Sequence, residues 1–174
     1  MKDEDWNETG IPLAYLITFR CYGTWLHGDE RGSIDEFNNK YETVFLPPNK
    51  KWYEFNKSKL NYEPVKLNAE MRTEVEAAVR ETCKIRVWQI FAINVRTNHI
   101  HTVVAVGAAS SKKVLSAFKA NSTRKMRENK CWLFEHSPWA DKGSRRYLWT
   151  EKSIEIAVDY VINGQGKPLP DFNV

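Results

Sequence analysis

Two histidines, one late tyrosine and a run of cations are the residues in this chain whose types and spacing suit chemistry. His99 and His101 stand two apart in the string Asn98-His99-Ile100-His101-Thr102-Val103-Val104. Residues two apart in a strand share a face, so both imidazoles reach the same side of a sheet. Neutral imidazole nitrogens are good ligands for Mn²⁺ and adequate ones for Mg²⁺ beside a phosphate, so the pair can hold one divalent cation. The same spacing also suits two half-buried polar residues near a strand start. Tyr160 follows some sixty residues later, in Ala157-Val158-Asp159-Tyr160-Val161-Ile162-Asn163-Gly164-Gln165-Gly166. A helix tyrosine commonly lays its ring on the core. A phenol with a pKa of about 10 is a weak nucleophile unless its target is polarised. Between Lys112 and Trp149 ten basic residues stand against three acidic ones, a concentration that suits phosphate binding. Lys112, Lys113, Lys119, Arg124, Lys125 and the Arg145-Arg146 pair are the candidate phosphate contacts, although a solvated helix face would have the same composition. His27 and His136 sit in loops and are given no catalytic role.

The elements that must position these side chains are legible from periodicity. Leu13 to Arg20 is short, β-branched and aromatic, and reads as a buried strand. The two glycines of Tyr22-Gly23-Thr24-Trp25-Leu26-His27-Gly28-Asp29 make the next stretch a structured loop. Residues 31–64 have no clean period and are expected to be an insertion that lays Trp52, Tyr53 and Phe55 on the surface of the core. Asn68 caps a helix with Met71, Val75, Ala78, Val79 and Cys83 inward, ending near Lys84. Val87–Val95 and His99–Val106 are strands joined by the polar turn 96–98, a hairpin. Ser110 or Ser111 caps a helix that buries Val114, Leu115, Phe118, Ser122 and Met126, with its cations mostly outward. An extended segment around Arg145 to Trp149 precedes a last helix, capped by Thr150, running from Glu151 to about Asn163. The order β-α-β-β-α-β plus a terminal helix predicts an α+β, ferredoxin-like antiparallel sheet with helices on one face. The expected organisation is one domain over residues 1–174, interrupted by the 31–64 insertion.

Taken together, the His-hydrophobic-His strand, the late helix with Tyr160 and a nearby amide, and the opening Tyr15-Leu16-Ile17-Thr18-Phe19 with Tyr22-Gly23-Thr24-Trp25-Leu26 resemble the single-tyrosine HUH transposases. These include the insertion-sequence and REP-associated tyrosine transposases. The resemblance runs from about Tyr15 to Gly166. It implies an HUH endonuclease core that cuts and rejoins single-stranded DNA at hairpin-bearing ends, leaving a 5′-phosphotyrosine and a free 3′-OH. It implies Tyr160 as nucleophile and His99 and His101 as ligands of Mg²⁺ or Mn²⁺, with Gln165 as the third ligand. The family often places that amide four residues after the tyrosine, whereas here Gln165 lies five on and Asn163 three. Gly164 and Gly166 are poor helix residues that would let the end unwind and bring Gln165 round. Gln165 is therefore favoured and Asn163 is the alternative. The family includes dimers that exchange the tyrosine helix as well as monomers, so a homodimer stays open.

Bulk properties narrow the class further. The net charge is +4, and no apolar run approaches the roughly 18 residues that span a bilayer, so no membrane partner is expected. Met1 to Asp5 is acidic and unlike a secretory signal. Cys21, Cys83 and Cys131 are far apart, with no C-x-x-C pair, which suits reduced thiols in a cytoplasmic protein. No phosphate-binding G-x-x-x-x-G-K-[ST] loop occurs, in keeping with strand transfer that conserves bond energy in a covalent link. Two other functions fit some of the same residues. One is a non-catalytic, domesticated nucleic-acid-binding module of the same fold; the other is a metal hydrolase that activates water on the H-x-H pair.

Overall fold

The unbroken apolar run in the first strand predicts burial on both faces, and that strand lies inside the sheet. The computed structural model describes residues 9–29, 47–167 and 169. Its elements are β1 (Ala14–Cys21), α1 (Lys50–Ser58), α2 (Ala69–Arg86), β2 (Gln89–Val95), β3 (His99–Ala105), α3 (Ser111–Glu128), β4 (Trp139–Leu148) and α4 (Glu151–Asn163). The strands form one sheet in the order β2-β3-β1-β4, every neighbouring pair antiparallel. This is the expected α+β, ferredoxin-like arrangement.

Alternation along β1 divides the core between the two faces of the sheet. Tyr15, Ile17, Phe19 and Cys21 join Val75 and Val79 of α2, Ile100 and Val104 of β3, and Val114 and Phe118 of α3. Ala14 and Leu16 point the other way and meet Ala92, Val103, Leu148 and the α4 residues Ala157 and Val161. The two helices of the split βαβ unit thus share one face, and the terminal helix covers part of the other. The helix starts follow the predicted caps. Asn68 accepts from the Met71 amide at 2.9 Å and Ser110 from Lys113 at 3.3 Å. Thr150 and Ser153 form a reciprocal capping box, which satisfies two amides that the first turn leaves without partners.

Three expectations shift at element ends. α2 runs past Lys84 to Arg86 and stops at Val87, which adopts a left-handed conformation with φ of 56°. Val87 is therefore a helix cap, and β2 begins two residues later than the apolar run implies. β4 starts at Trp139 rather than near Arg145, because pairing with β1 recruits the polar stretch Gly143 to Arg146 and, across an irregularity in the register, Trp139. An edge strand with one partner has no need of alternating apolar residues, so its pattern is faint. Within the expected insertion, residues 31–46 lie outside the described residues, and Asn49 caps the short helix α1, which buries none of its residues. Trp52 stacks on His27 with ring centroids 5.2 Å apart, and Asn49 donates its amide to the Gly28 carbonyl. A side chain at Gly28 would collide with that Asn49 carbonyl and the Tyr53 amide. α1 is thereby bound to the loop that follows β1.

Candidate active site

The strand pattern around the two histidines points Ile100, Thr102 and Val104 toward α2 and α3, and His99, His101 and Val103 toward α4. Val103 is apolar and lies beneath α4. Beyond it the apolar pattern stops, and the sheet offers polar side chains instead. The rings of His99 and His101 lie 4.7 Å apart, centroid to centroid. His101 is buried and His99 half-buried.

Each histidine is held through one ring nitrogen. Thr18 Oγ1, directly across from His101 in the β1–β3 register, lies 2.7 Å from its Nδ1. Asn98 Oδ1 lies 2.6 Å from His99 Nδ1. With protons on both Nδ1 atoms, each Nε2 presents a lone pair, the form that ligates a metal. Burial, then the neighbouring His99, push the His101 pKa down to about 3, against a hydrogen bond to Gln165 that raises it. His101 is therefore neutral, as a ligand must be.

α4 brings Tyr160 and Gln165 to the same place. The Asn94 side chain, opposite His101 in the β2–β3 register, donates to the Val161 carbonyl at 3.0 Å and fixes the last turn of the helix. The half-exposed Tyr160 ring stands 5.3 Å from His101. α4 ends at Gly164, where a Cβ would fall 2.6 Å from the Tyr160 carbonyl oxygen; only glycine lets the chain turn back this tightly. Gln165 then donates to that carbonyl at 3.1 Å and sets its Oε1 3.2 Å from His99 Nε2. Asn163 faces away and donates to Asp159 at 2.8 Å. Of the two amides, Gln165 is the one beside the histidines.

The donor set fits a divalent cation. Gln165 uses its NH₂ on Tyr160, so its carbonyl oxygen faces His99 Nε2 at 3.2 Å. With the His99 proton on Nδ1 these two atoms are both acceptors that a cation between them would stabilise, and their separation is near the spacing of adjacent ligands around an ion with bonds of about 2.1 Å. Two neutral imidazoles and an amide carry no net charge. A hard dication in such a site draws further ligands from phosphate oxygens and water.

The cations divide between the two sides of the sheet. Arg146 pairs with Leu16 and lies on the histidine face, whereas Arg145 pairs with Ile17 and lies on the opposite one. Lys112 and Lys113 are exposed at the start of α3. Lys119 spends its ammonium on the carbonyls of Ala140, Asp141 and Lys142, 2.6–3.1 Å away. Lys125 pairs with Glu81 at 2.9 Å, and Arg124 with Glu128 at 2.8 Å. The α3 cations are therefore not gathered around the histidines. Thr18, Asn94 and Asn98 also support the site, and none carries a local signal of doing so; a polar residue inside an apolar strand, as at Thr18, is the nearest to one.

A sheet-borne His-x-His pair beside a helix-borne tyrosine is the arrangement of an HUH-type transposase. The IS200-like transposase family matches residues 59–161, more than half of the chain and inclusive of His99, His101 and Tyr160. The chain belongs to that family. It is also similar in fold to a solved REP-associated tyrosine transposase bound to a REP hairpin, with 13% identity, a TM-score of 0.51, and 92% of this chain and 70% of that one covered. No curated protein matches the sequence. Among the described residues no helix is long and apolar enough to cross a membrane.

Proposed function

We propose that this transposase cuts and rejoins single-stranded DNA at hairpin-bearing ends, with Tyr160 as nucleophile and His99, His101 and Gln165 holding Mg²⁺ or Mn²⁺. The observation that carries the reading is the meeting of the Tyr160 ring, 5.3 Å from His101, with an amide oxygen 3.2 Å from His99. In the proposed step the Tyr160 oxygen attacks the scissile phosphorus. The P–O3′ bond breaks, its electron pair leaves with the 3′ oxygen, and that oxygen takes a proton from water to become the 3′-OH. The phenolic proton passes to solvent. The products are a 5′-phosphotyrosine and a free 3′ end, and attack by a 3′-OH reverses the step without ATP. A bound divalent cation would supply polarisation of the phosphate and charge stabilisation at the leaving oxygen.

The chain's own residues do the remaining work. Thr18 and Asn98 hold the ring tautomers, Asn94 and Gly164 set the end of α4, and Tyr160 is presented at the surface where a strand can reach it. Arg146, on the histidine face, is assigned to phosphate near the cleaved bond. Lys112, Lys113 and Arg145, on or beside α3, are assigned to DNA farther from it. Arg124 and Lys125 would reach DNA only by exchanging their carboxylate partners, and Lys119, whose ammonium is taken by three carbonyls, is assigned no DNA contact. A hairpin partner is supported by the bound hairpin in the structurally similar transposase.

The test is incubation with hairpin oligonucleotides, including the DNA flanking the gene, and Mn²⁺, followed by a denaturing gel. A covalent protein–DNA band is expected for the parent and none for Tyr160→Phe, which should still bind the hairpin. Cleavage without a covalent band would favour hydrolysis by activated water. Binding without any cleavage would favour the domesticated binding module.

A further inference from the structure

Arg20 is the fourth residue along the β1 face that carries Ala14, Leu16 and Thr18. The β1–β3 register sets it directly opposite His99, as Thr18 is set opposite His101. Side chains of directly opposed residues in an antiparallel pair rise on the same face, with Cβ atoms about 4.5–5.5 Å apart. The Arg20 guanidinium therefore starts beside the imidazole that faces Gln165.

Its partners are too few for a cation in this place. Arg20 is half-buried, and among the described residues it forms no ion pair. One hydrogen bond, from Nη1 to the Trp25 carbonyl at 3.1 Å, is its only polar contact there, although a guanidinium carries five N–H donors. Burial draws its pKa below the usual arginine range, yet a guanidinium stays charged. Lys119 is held down by burial first, with Asp141 opposing, and then by Arg20 as a like charge. A half-buried cation without a counter-ion is costly in the free protein and is stabilised when an anion arrives. Its planar fork matches the paired oxygens of a phosphate. The bonded residue, Trp25, adopts a left-handed φ of 52° and lays its ring 4.8 Å from His99, so the loop held by Arg20 borders the same site.

We propose that Arg20 is a catalytic residue that grips the non-bridging oxygens of the scissile phosphate and stabilises the charge gathering on them as Tyr160 attacks. This rests on the cleavage reaction proposed above. Arg20 forms and breaks no covalent bond in it and donates no proton outright. It supplies fixed hydrogen-bond donors, whose removal typically lowers a rate by about 100- to 1,000-fold.

The competing role is a brace for Trp25 alone. Single-turnover adduct formation on a hairpin oligonucleotide with Mn²⁺ separates the two in the parent, Arg20→Ala, Arg20→Lys and Trp25→Ala, with Mn²⁺ affinity measured in parallel. Arg20→Ala is expected to slow the adduct about 100- to 1,000-fold at unchanged Mn²⁺ affinity, and added guanidinium ion to restore a measurable part of the rate. Arg20→Lys, which keeps the charge and loses the fork, should fall between. The proposal is overturned if Arg20→Ala reacts at the parent rate, if its loss follows lost Mn²⁺ affinity, or if Trp25→Ala reproduces the loss and guanidinium restores nothing. A parent that forms no adduct overturns the cleavage reading and this one with it. A reactive parent matched by Arg20→Ala overturns this one alone.

Discussion

The two faces of the sheet are built for different ends. Under α2 and α3 the apolar side chains run the whole length of β1, from Tyr15 to Cys21, and close over Phe118 and Met126. Under α4 they stop halfway: Ala14, Leu16 and Val103 meet Ala157 and Val161, and then Thr18, Arg20, His99, His101 and Asn94 take over. A single helix of thirteen residues covers one end of a four-stranded face and leaves a polar ledge at the other. The difference teaches where stability and chemistry are kept. One face keeps its β1 side chains buried from end to end beneath its helices, while the other brings polar groups to the edge of a helix whose last turn carries Tyr160.

Substitutions on the two faces should break that contrast if it is wrong. The largest effect on stability is expected from Phe118→Ala, which removes a fully buried ring and should cost about 3–5 kcal/mol, read as a lowered denaturant midpoint. Thr18→Val keeps the shape of a side chain on the other face and removes the partner of His101 Nδ1. Mn²⁺ affinity should fall about 10- to 100-fold while the denaturant midpoint stays near the parent's. If Thr18→Val unfolds the protein as Phe118→Ala does, the two faces are not functionally distinct. Asn94→Ala is the mildest. It deletes the bond to the Val161 carbonyl, worth about 1 kcal/mol, and should lower the rate of adduct formation with Mn²⁺ affinity retained. A loss of Mn²⁺ affinity instead would mean that Asn94 supports the histidines and not the tyrosine helix.

Features that depend on near neighbours were legible in the sequence. The caps Asn68 and Thr150, a cap at Ser110 or Ser111, the hairpin of β2 and β3, and the shared face of His99 and His101 all follow from spacings of a few residues. Features that depend on register between distant strands were not. Thr18 reaches His101 across 83 positions, and Asn94 reaches Val161 across 67; neither contact leaves a periodic trace. The first half of β4, ahead of the extended segment expected near Arg145, was hidden for the same reason, since it is a strand only through pairing with β1. Gln165 is intermediate. Counting along an ideal helix puts Asn163 nearer the tyrosine's face, and Gly164 reverses that by ending α4 early and turning Gln165 back onto the Tyr160 carbonyl. Arg20 could not have been singled out, because an arginine at a strand end signals nothing until its neighbour across the sheet is His99.

The central claim is that Tyr160 takes the 5′ side of the cut strand. The most direct test is mass spectrometry of the proteolysed adduct formed from a hairpin oligonucleotide and Mn²⁺. The account predicts the oligonucleotide's 5′ phosphate on the peptide containing Tyr160, with an unmodified 3′-OH on the released fragment. A nucleotide found on any other residue, or a free 5′ phosphate with no protein attached, would contradict it.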